Sequence, residues 1–140
     1  MPNQNVNVQT YGHGLKTSKK PILGERVLAV GDKGFWDLQG QITIGDHSFF
    51  AHGVKLLTGG HDYTFTGRAR QDACVAQPIT IGKGVWIASY AIILGGVTIG
   101  DNAVVGCGSI VTKDIPAGEL WAGNPAKFIK KIKLKETDEK

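Results

Sequence analysis

The chain has 140 residues, the usual size of one domain, and a formal net charge of +4 at pH 7. No stretch approaches the roughly 20 consecutive apolar residues of a membrane span, and the polar first residues do not resemble a secretion signal. The two cysteines, Cys74 and Cys107, have no metal-ligand spacing and need not pair. We therefore predict a soluble, cytoplasmic domain with no membrane partner.

Residues 1–26 are polar and predict an N-terminal arm or cap. Residues 27–122 are predicted to form the repeat domain, in which an aliphatic residue or Phe recurs at every sixth position from residue 44 onward, apart from one interruption at residues 62–77. The repeated residues are Ile44, Phe50, Leu56, Ile81, Ile87, Ile93, Ile99, Val105 and Val111. A period of six is neither helical nor that of an alternating strand, and it is the signature of a hexapeptide-repeat parallel β-helix.

The geometry of such a repeat explains the residue types that it carries. Three short strands with their turns make one triangular coil of about 18 residues, and coils stack at the strand spacing of roughly 4.8 Å. The repeated residue points inward, and the residue four positions later is small because it lies in a corner. A prism of three or four coils has a limited core, so we expect caps or an oligomer.

The interruption at residues 62–77 contains Asp62, Tyr63, Arg68 and Arg70 and has no aliphatic spacing. An excursion of this length from a regular solenoid is usually functional or mobile. His61 stands at its root, where an imidazole could act as a general base near neutral pH. The alternative is a histidine that only forms a hydrogen bond at the base of a loop.

Residues 123–140 predict a basic C-terminal tail. Its lysines could be a solvated terminus, or Lys127 and Lys130 could contact phosphate groups. A nucleic-acid partner is not expected, because no aromatic residue beyond Phe128 interleaves with the lysines.

The pair His47 and His52 is a candidate for a metal site, because γ-class carbonic anhydrases bind zinc with such a pair in a β-helix. Here each histidine falls one position later in its repeat than in that family, and no third histidine has the right coil spacing. We therefore expect no metal.

Four segments in the second half of the chain are similar to the hexapeptide acyltransferases, and most similar to their sugar O-acetyltransferase branch, which includes galactoside, maltose and exopolysaccharide enzymes. The segments are PITIGKGVWIAS (78–89), GVTIGD (96–101), GCGSIVTKDIP (106–116) and AGNPAK (122–127). The resemblance covers about residues 42–132. It implies an all-β fold, a left-handed parallel β-helix with one extruded loop, and a homotrimer whose active sites lie between subunits.

The resemblance also implies roles for individual residues. His61 would be the general base, and a backbone amide around Ala88 and Ser89 would hold the oxyanion of the acetyl-CoA thioester. The acetyl-CoA groove would be formed by Trp86, Ala88, Ser89, Cys107, Thr112, Lys113, Lys127 and Lys130. For Trp86, a packing role is an equal alternative. Cys107 has no nearby base and is not expected to be a nucleophile.

The acceptor is less well determined, because the segment before the repeats is short and Gly31 and Gln39 stand roughly where the galactoside and maltose enzymes are expected to have acidic or Asn contacts to the sugar. The candidates for an acceptor wall are Trp36, Asp37, Asp62, Tyr63, Arg68 and Arg70. Trp36 could stack on a sugar or lie in the core. Arg68 or Arg70 could hold an anionic group, such as the diphosphate of a nucleotide-linked sugar, or could be solvated loop charges.

Together these features predict transfer of an acetyl group from acetyl-CoA to a hydroxyl of a sugar or polysaccharide precursor. The alternatives are N-acetylation of a nucleotide-linked amino sugar, acetylation of a foreign compound, and a non-catalytic β-helix.

Overall fold

Short strands arranged as three sheets form the fold, which a computed structural model describes for residues 6–11, 19–29 and 31–136. Much of the arm predicted for residues 1–26 lies outside the described residues. In chain order the strands and the helix are β1 (Gln9–Tyr11), β2 (Ile22–Leu23), β3 (Phe35–Asp37), β4 (Ile42–Ile44), β5 (Phe49–Phe50), β6 (Lys55–Leu57), β7 (Gly59–His61), α1 (Gly67–Asp72), β8 (Cys74–Ala76), β9 (Ile79–Ile81), β10 (Trp86–Ile87), β11 (Ile92–Leu94), β12 (Thr98–Ile99), β13 (Val104–Val105), β14 (Ile110–Val111), β15 (Glu119–Gly123) and β16 (Ala126–Lys131).

Successive strands fall on successive faces of a triangular prism. Face one has the order β1-β3-β6-β11-β14, face two has β12-β9-β4-β2, and face three has β16-β15-β13-β10-β5. The pairs within these faces are parallel, except that β16 runs antiparallel to β15 at the C-terminal end. This is the parallel β-helix that the six-residue period predicts.

The repeated residues form the core as expected, and all nine of them are buried. They stack in register from coil to coil, for example Leu56 on Ile93 and Ile93 on Val111. The corner residues are also buried, and Ser48 satisfies its hydroxyl there by donating to Gly82 O (2.6 Å) and accepting from Val85 N (3.0 Å). The small side chains at these corners therefore follow from the limited space between faces.

Gly60 departs from this pattern. The six-residue period places it at a corner, yet it is exposed and belongs to β7. Strands β7 and β8 pair antiparallel as a hairpin outside the prism, and α1 connects them. The excursion therefore begins at Gly59, two residues before His61.

Trp36 corrects one of the sequence-based expectations. Its side chain is only 1% exposed, it pairs in register with Leu56, and it meets the Phe50 ring edge-on at 5.7 Å between centroids. Both faces of the indole are enclosed by the first coils, so a sugar cannot stack on it. The expectation that Trp36 forms an acceptor wall is wrong, and the tryptophan is a core residue.

Candidate active site

The candidate site residues lie mainly on two edges of the prism, which flank face one on either side. We call the edge where face one turns into face two the His61 edge; it comprises residues 58–78, 95–97 and 112–114. We call the edge where face three turns into face one the Ser89 edge; it comprises residues 51–54, 88–91 and 106–109. Residues 89 to 95 cross face one through strand β11 and span at most roughly 20 Å. The strands of face one therefore hold the two edges apart within one chain.

His61 ends β7 on the first of these edges, with its side chain exposed. Its ring Nδ1 lies 3.0 Å from the backbone oxygen of Arg70. A carbonyl oxygen only accepts hydrogen bonds, so this contact assigns the proton to Nδ1 and leaves the Nε2 lone pair free. An imidazole in this tautomer can take a proton at Nε2, as a general base must.

The loop between β7 and β8 is held by its own polar groups. The Arg70 guanidinium donates from Nε to Phe65 O (2.7 Å) and from Nη2 to Tyr63 O (2.9 Å). The Thr64 hydroxyl and backbone N–H donate to Asp62 Oδ1, and the hydroxyl bond, followed by the backbone bond, lowers the pKa of Asp62. Asp62 is therefore a carboxylate at neutral pH and is engaged in a turn. Tyr63 remains 80% exposed.

Asp37 supports the root of the hairpin. It is buried (6% exposed), and its Oδ2 accepts from Gly59 N at 2.9 Å while its Oδ1 accepts from Gln39 N at 3.0 Å. The neighbouring Thr58 hydroxyl donates to Asp37 O (2.7 Å) and accepts from Gly40 N (2.8 Å). The Asp37 carboxylate was expected to face an acceptor. It instead accepts hydrogen bonds from backbone amides, including that of Gly59, which leads to His61.

Replacing Asp37 by alanine is expected to lower the free energy of unfolding by about 1–3 kcal/mol, because it leaves the Gly59 and Gln39 N–H groups without their acceptor. Urea unfolding at fixed protein concentration would measure the loss. Asp101→Ala is the matched control, since Asp101 Oδ1 accepts a similar bond from Lys83 N (2.8 Å) at an exposed corner where water can replace it. Equal losses in both variants would contradict a special role for Asp37.

On the Ser89 edge, two backbone amides are candidates for an oxyanion donor. Ala88 is buried and its N–H donates to Val105 O at 3.0 Å, so this amide is already used. Ser89 N has no hydrogen-bond acceptor within the described residues, and Ser89 is only half-buried. Cys107 lies one coil further on, next to the Gly108 N–H that donates to Ser89 O (2.9 Å). Of these two candidate amides, that of Ser89 is therefore the free one.

Trp86 lies two residues before Ala88, on the outer surface of face three. Its ring stacks nearly parallel to that of Phe49, with 6.2 Å between centroids. Trp86 is nevertheless 44% exposed, so it can both pack on Phe49 and present an indole edge beside the Ser89 edge.

Three of the predicted groove residues meet at the C-terminal end of the prism. Thr112, Lys113 and Lys127 line a cavity of about 140 Å³ together with the aromatic residues Trp121 and Phe128. Lys130 also lies on β16 but does not line this cavity. Two lysines and two aromatic residues line the cavity, a combination that suits a phosphorylated ligand with a flat ring.

His52 and Asp32 form a contact that sequence reasoning missed. His52 Nδ1 lies 3.0 Å from Asp32 Oδ1 and 3.1 Å from Asp32 N, and the side-chain hydrogen bond lowers the pKa of Asp32. The two residues are 20 positions apart, so no hexapeptide spacing connects them.

Within residues 6–11, 19–29 and 31–136, no three His, Cys, Asp or Glu side chains are grouped as a metal site requires. Nor does any helix of those residues have the length and apolar character needed to cross a membrane.

Known proteins share both the repeats and the fold. Residues 78–113 match the family described as bacterial transferase hexapeptide (six repeats). The galactoside O-acetyltransferase of Escherichia coli K12 is 47% identical over 91 residues, which are 65% of this chain and 44% of that enzyme. A maltose O-acetyltransferase from Clostridium difficile 630 superposes with a TM-score of 0.79 at 35% identity, covering 91% of this chain and 65% of that one.

The chain belongs to the hexapeptide-repeat transferase family. A galactoside acetyltransferase in complex with coenzyme A also superposes, with a TM-score of 0.76, 35% identity, and coverage of 91% of this chain and 62% of that chain. These members of the family are left-handed β-helices, so the predicted left-handed parallel β-helix is confirmed. The chain spans about half the length of the curated relatives that it matches.

Proposed function

We propose that this chain transfers the acetyl group of acetyl-CoA to a hydroxyl of a sugar or polysaccharide precursor. The observation that carries the proposal is the state of His61, whose Nδ1 is bound to Arg70 O while Nε2 is free on an exposed hairpin. The similarity to galactoside and maltose O-acetyltransferases, and to one structure that holds coenzyme A, supports the donor and the class of acceptor.

The proposed reaction needs no protein nucleophile, because a thioester is already activated. His61 Nε2 removes the proton of the acceptor hydroxyl while the hydroxyl oxygen attacks the acetyl carbonyl carbon. The Ser89 N–H donates to the oxyanion that forms, and the tetrahedral intermediate collapses by breaking the bond between the acetyl carbon and sulfur. The CoA thiolate then takes the proton from His61 Nε2, which restores the neutral imidazole.

Two subunits are required for this reaction, because in one chain the strands of face one hold the edges of His61 and Ser89 apart. We propose a homotrimer in which the His61 edge of one subunit faces the Ser89 edge of the next. A closed ring of this kind contains as many equivalent sites as subunits. Analytical ultracentrifugation would test the assembly.

Acetyl-CoA is proposed to lie along the Ser89 edge, with Ala88 and Cys107 beside the pantetheine and Trp86 at its margin. The cavity formed with Thr112, Lys113 and Lys127 would receive the nucleotide end, where the lysines act as point charges toward phosphates. Lys130 would act from outside this cavity.

The acceptor is proposed to approach across the hairpin loop, where Tyr63 and Arg68 are exposed and Asp62 provides a carboxylate. Trp36 and Asp37 do not contribute to this wall, since one is enclosed in the core and the other binds backbone amides.

The test is thiol release from acetyl-CoA over a panel of galactosides, maltose, nucleotide-linked sugars and amino sugars. We expect release that depends on a hydroxyl acceptor. Release with amino sugars alone would replace the proposal with N-acetylation. An absence of acetyl-CoA binding by calorimetry would overturn the enzymatic proposal and favour a structural β-helix.

A further inference from the structure

We infer that Arg70 is a positioning residue for the base, because its guanidinium holds the loop in the conformation in which its own carbonyl oxygen fixes the tautomer of His61. The kinetic consequence of this inference rests on the proposed acetyl transfer. The structural consequence does not, and it can be measured separately.

The two ends of Arg70 act on opposite sides of the loop. Its side chain donates to the backbone oxygens of Phe65 (2.7 Å) and Tyr63 (2.9 Å), which come before the helix. Its backbone oxygen lies 3.0 Å from His61 Nδ1, on the strand that leads into the loop. One residue therefore connects residues 63–65, α1 and the catalytic histidine.

The helix needs this connection because little else holds it. α1 has six residues, none of them buried, and its N-cap residue Thr66 makes no side-chain capping bond. Isolated helices shorter than about 12–15 residues are marginal in water. The remaining attachments are the β7–β8 ladder and a bond from Asp62 N to Ala73 O (2.9 Å) at the base of the loop. The charged donors of Arg70 make stronger bonds than neutral ones would, so they are the main restraint on the position of α1.

Arg68 shows what an unengaged arginine on the same helix looks like. Its side chain is 91% exposed, and its only ion pair among the described residues is to Asp72 at 3.5 Å, one turn along the helix. Both arginines lie on α1, carry a positive charge and are exposed to solvent. They differ because the Arg70 side chain donates hydrogen bonds to two loop carbonyl groups, whereas the Arg68 side chain pairs only with Asp72 among the described residues. Arg68 is therefore a matched control for Arg70 in a measurement of the His61 tautomer, which needs no acceptor.

Loss of the Arg70 carbonyl from His61 would change the chemistry of the ring. Without that acceptor the imidazole can carry its proton on Nε2, and in this tautomer Nε2 cannot take a proton from the acceptor hydroxyl. The ring also loses one of its orienting contacts. Both effects reduce kcat, whereas the KM for acetyl-CoA should stay constant because the hydrogen bonds of Arg70 go to His61, Phe65 and Tyr63 and to no residue of the proposed donor groove.

The first measurement compares Arg70→Ala, Arg70→Lys and Gln71→Ala in steady-state kinetics, where Gln71 is the control because it is exposed on the same helix and has no proposed part in binding. We expect Arg70→Ala to lose about ten- to a hundredfold in kcat with an unchanged KM for acetyl-CoA, as for other small displacements of reacting groups. Arg70→Lys should recover only part of this loss, because one ammonium group cannot reproduce the two hydrogen bonds of the guanidinium. Gln71→Ala should remain within about twofold of the parent. Equal losses in Arg70→Ala and Gln71→Ala would overturn the inference.

The second measurement reads the tautomer of His61 directly by 15N NMR of the full chain labelled at histidine, with His61→Gln used to assign the resonance. The parent should show a protonated Nδ1 and an unprotonated Nε2, Arg68→Ala should show the same, and Arg70→Ala should show a mixture of tautomers. An unchanged tautomer in Arg70→Ala would overturn the inference. This measurement requires no acceptor, so it tests whether Arg70 fixes the tautomer of His61 even if acetyl transfer proves to be the wrong reaction.

Discussion

His61→Ala is expected to reduce kcat for acetyl transfer by about 10²–10⁴-fold, the usual contribution of a positioned general base. The imidazole that would take the acceptor proton is lost, while the oxyanion donor and the donor groove remain. The side chain is exposed and lies outside the prism, so the fold should not change, and analytical ultracentrifugation checks that the oligomeric state is kept. Thiol release at saturating acetyl-CoA, together with calorimetric titration of acetyl-CoA, separates lost chemistry from lost binding.

A second exposed histidine provides the control for this variant. His47 lies where face two turns into face three, away from both edges that carry the candidate site, and it has a positive φ of 65°. Asparagine tolerates that backbone conformation, so His47→Asn should keep the fold and the activity. Loss of activity in His47→Asn, or near-parental activity in His61→Ala, would contradict the assignment of the base.

Activity is also expected to return when two inactive variants share one oligomer. His61→Ala removes the base, and Cys107→Tyr blocks the Ser89 edge with a bulky group at an exposed position. In a randomly assembled mixture of equal amounts, about a quarter of the sites combine an intact His61 with an intact Ser89 edge from the neighbouring subunit. The co-expressed mixture should therefore recover about a quarter of the parental activity, although each variant alone is nearly inactive.

The same two proteins mixed after separate assembly, without exchange of subunits, are the control for that experiment and should remain inactive. If co-expression restores nothing beyond the sum of the separate variants, both halves of the site come from one chain. That result would require a large rearrangement of face one, whose two edges are held apart by the strands between them.

The core was predictable from sequence because the six-residue period places one residue of each strand inside the prism. The prediction failed where the period itself changes. Trp36 occupies the same inward column as Leu56, yet it stands two residues out of phase with it. The extra residues are taken up by the turn after Asp37, which no repeat pattern specifies. The prediction of a corner position for Gly60 was wrong for the opposite reason. The six-residue period continues in the sequence after the chain has left the prism.

The candidate site was predictable only in part. His61 could be found because it stands where the repeats stop and matches the family pattern. Its hydrogen-bond partner could not, because the partner is the backbone oxygen of Arg70, whose position depends on the helix between β7 and β8. The role of Asp37 was similarly hidden, since it binds an amide 22 residues further along the chain. Any residue type can supply a backbone hydrogen-bond partner, so such a partner cannot be recognised from the sequence.

The stacking of coils limits where this protein can gain or lose length during evolution. The hairpin leaves the prism between β6 and β9, and Ser89 follows within the next coil. An extra coil inserted between the hairpin and Ser89 would raise Ser89 by about 4.8 Å relative to His61, more than a proton transfer tolerates. An extra coil before β3 would lengthen the prism on the other side of both residues and leave their levels and the C-terminal cavity unchanged. Duplications of repeats should therefore be tolerated toward the N-terminal end and eliminated between His61 and Ser89.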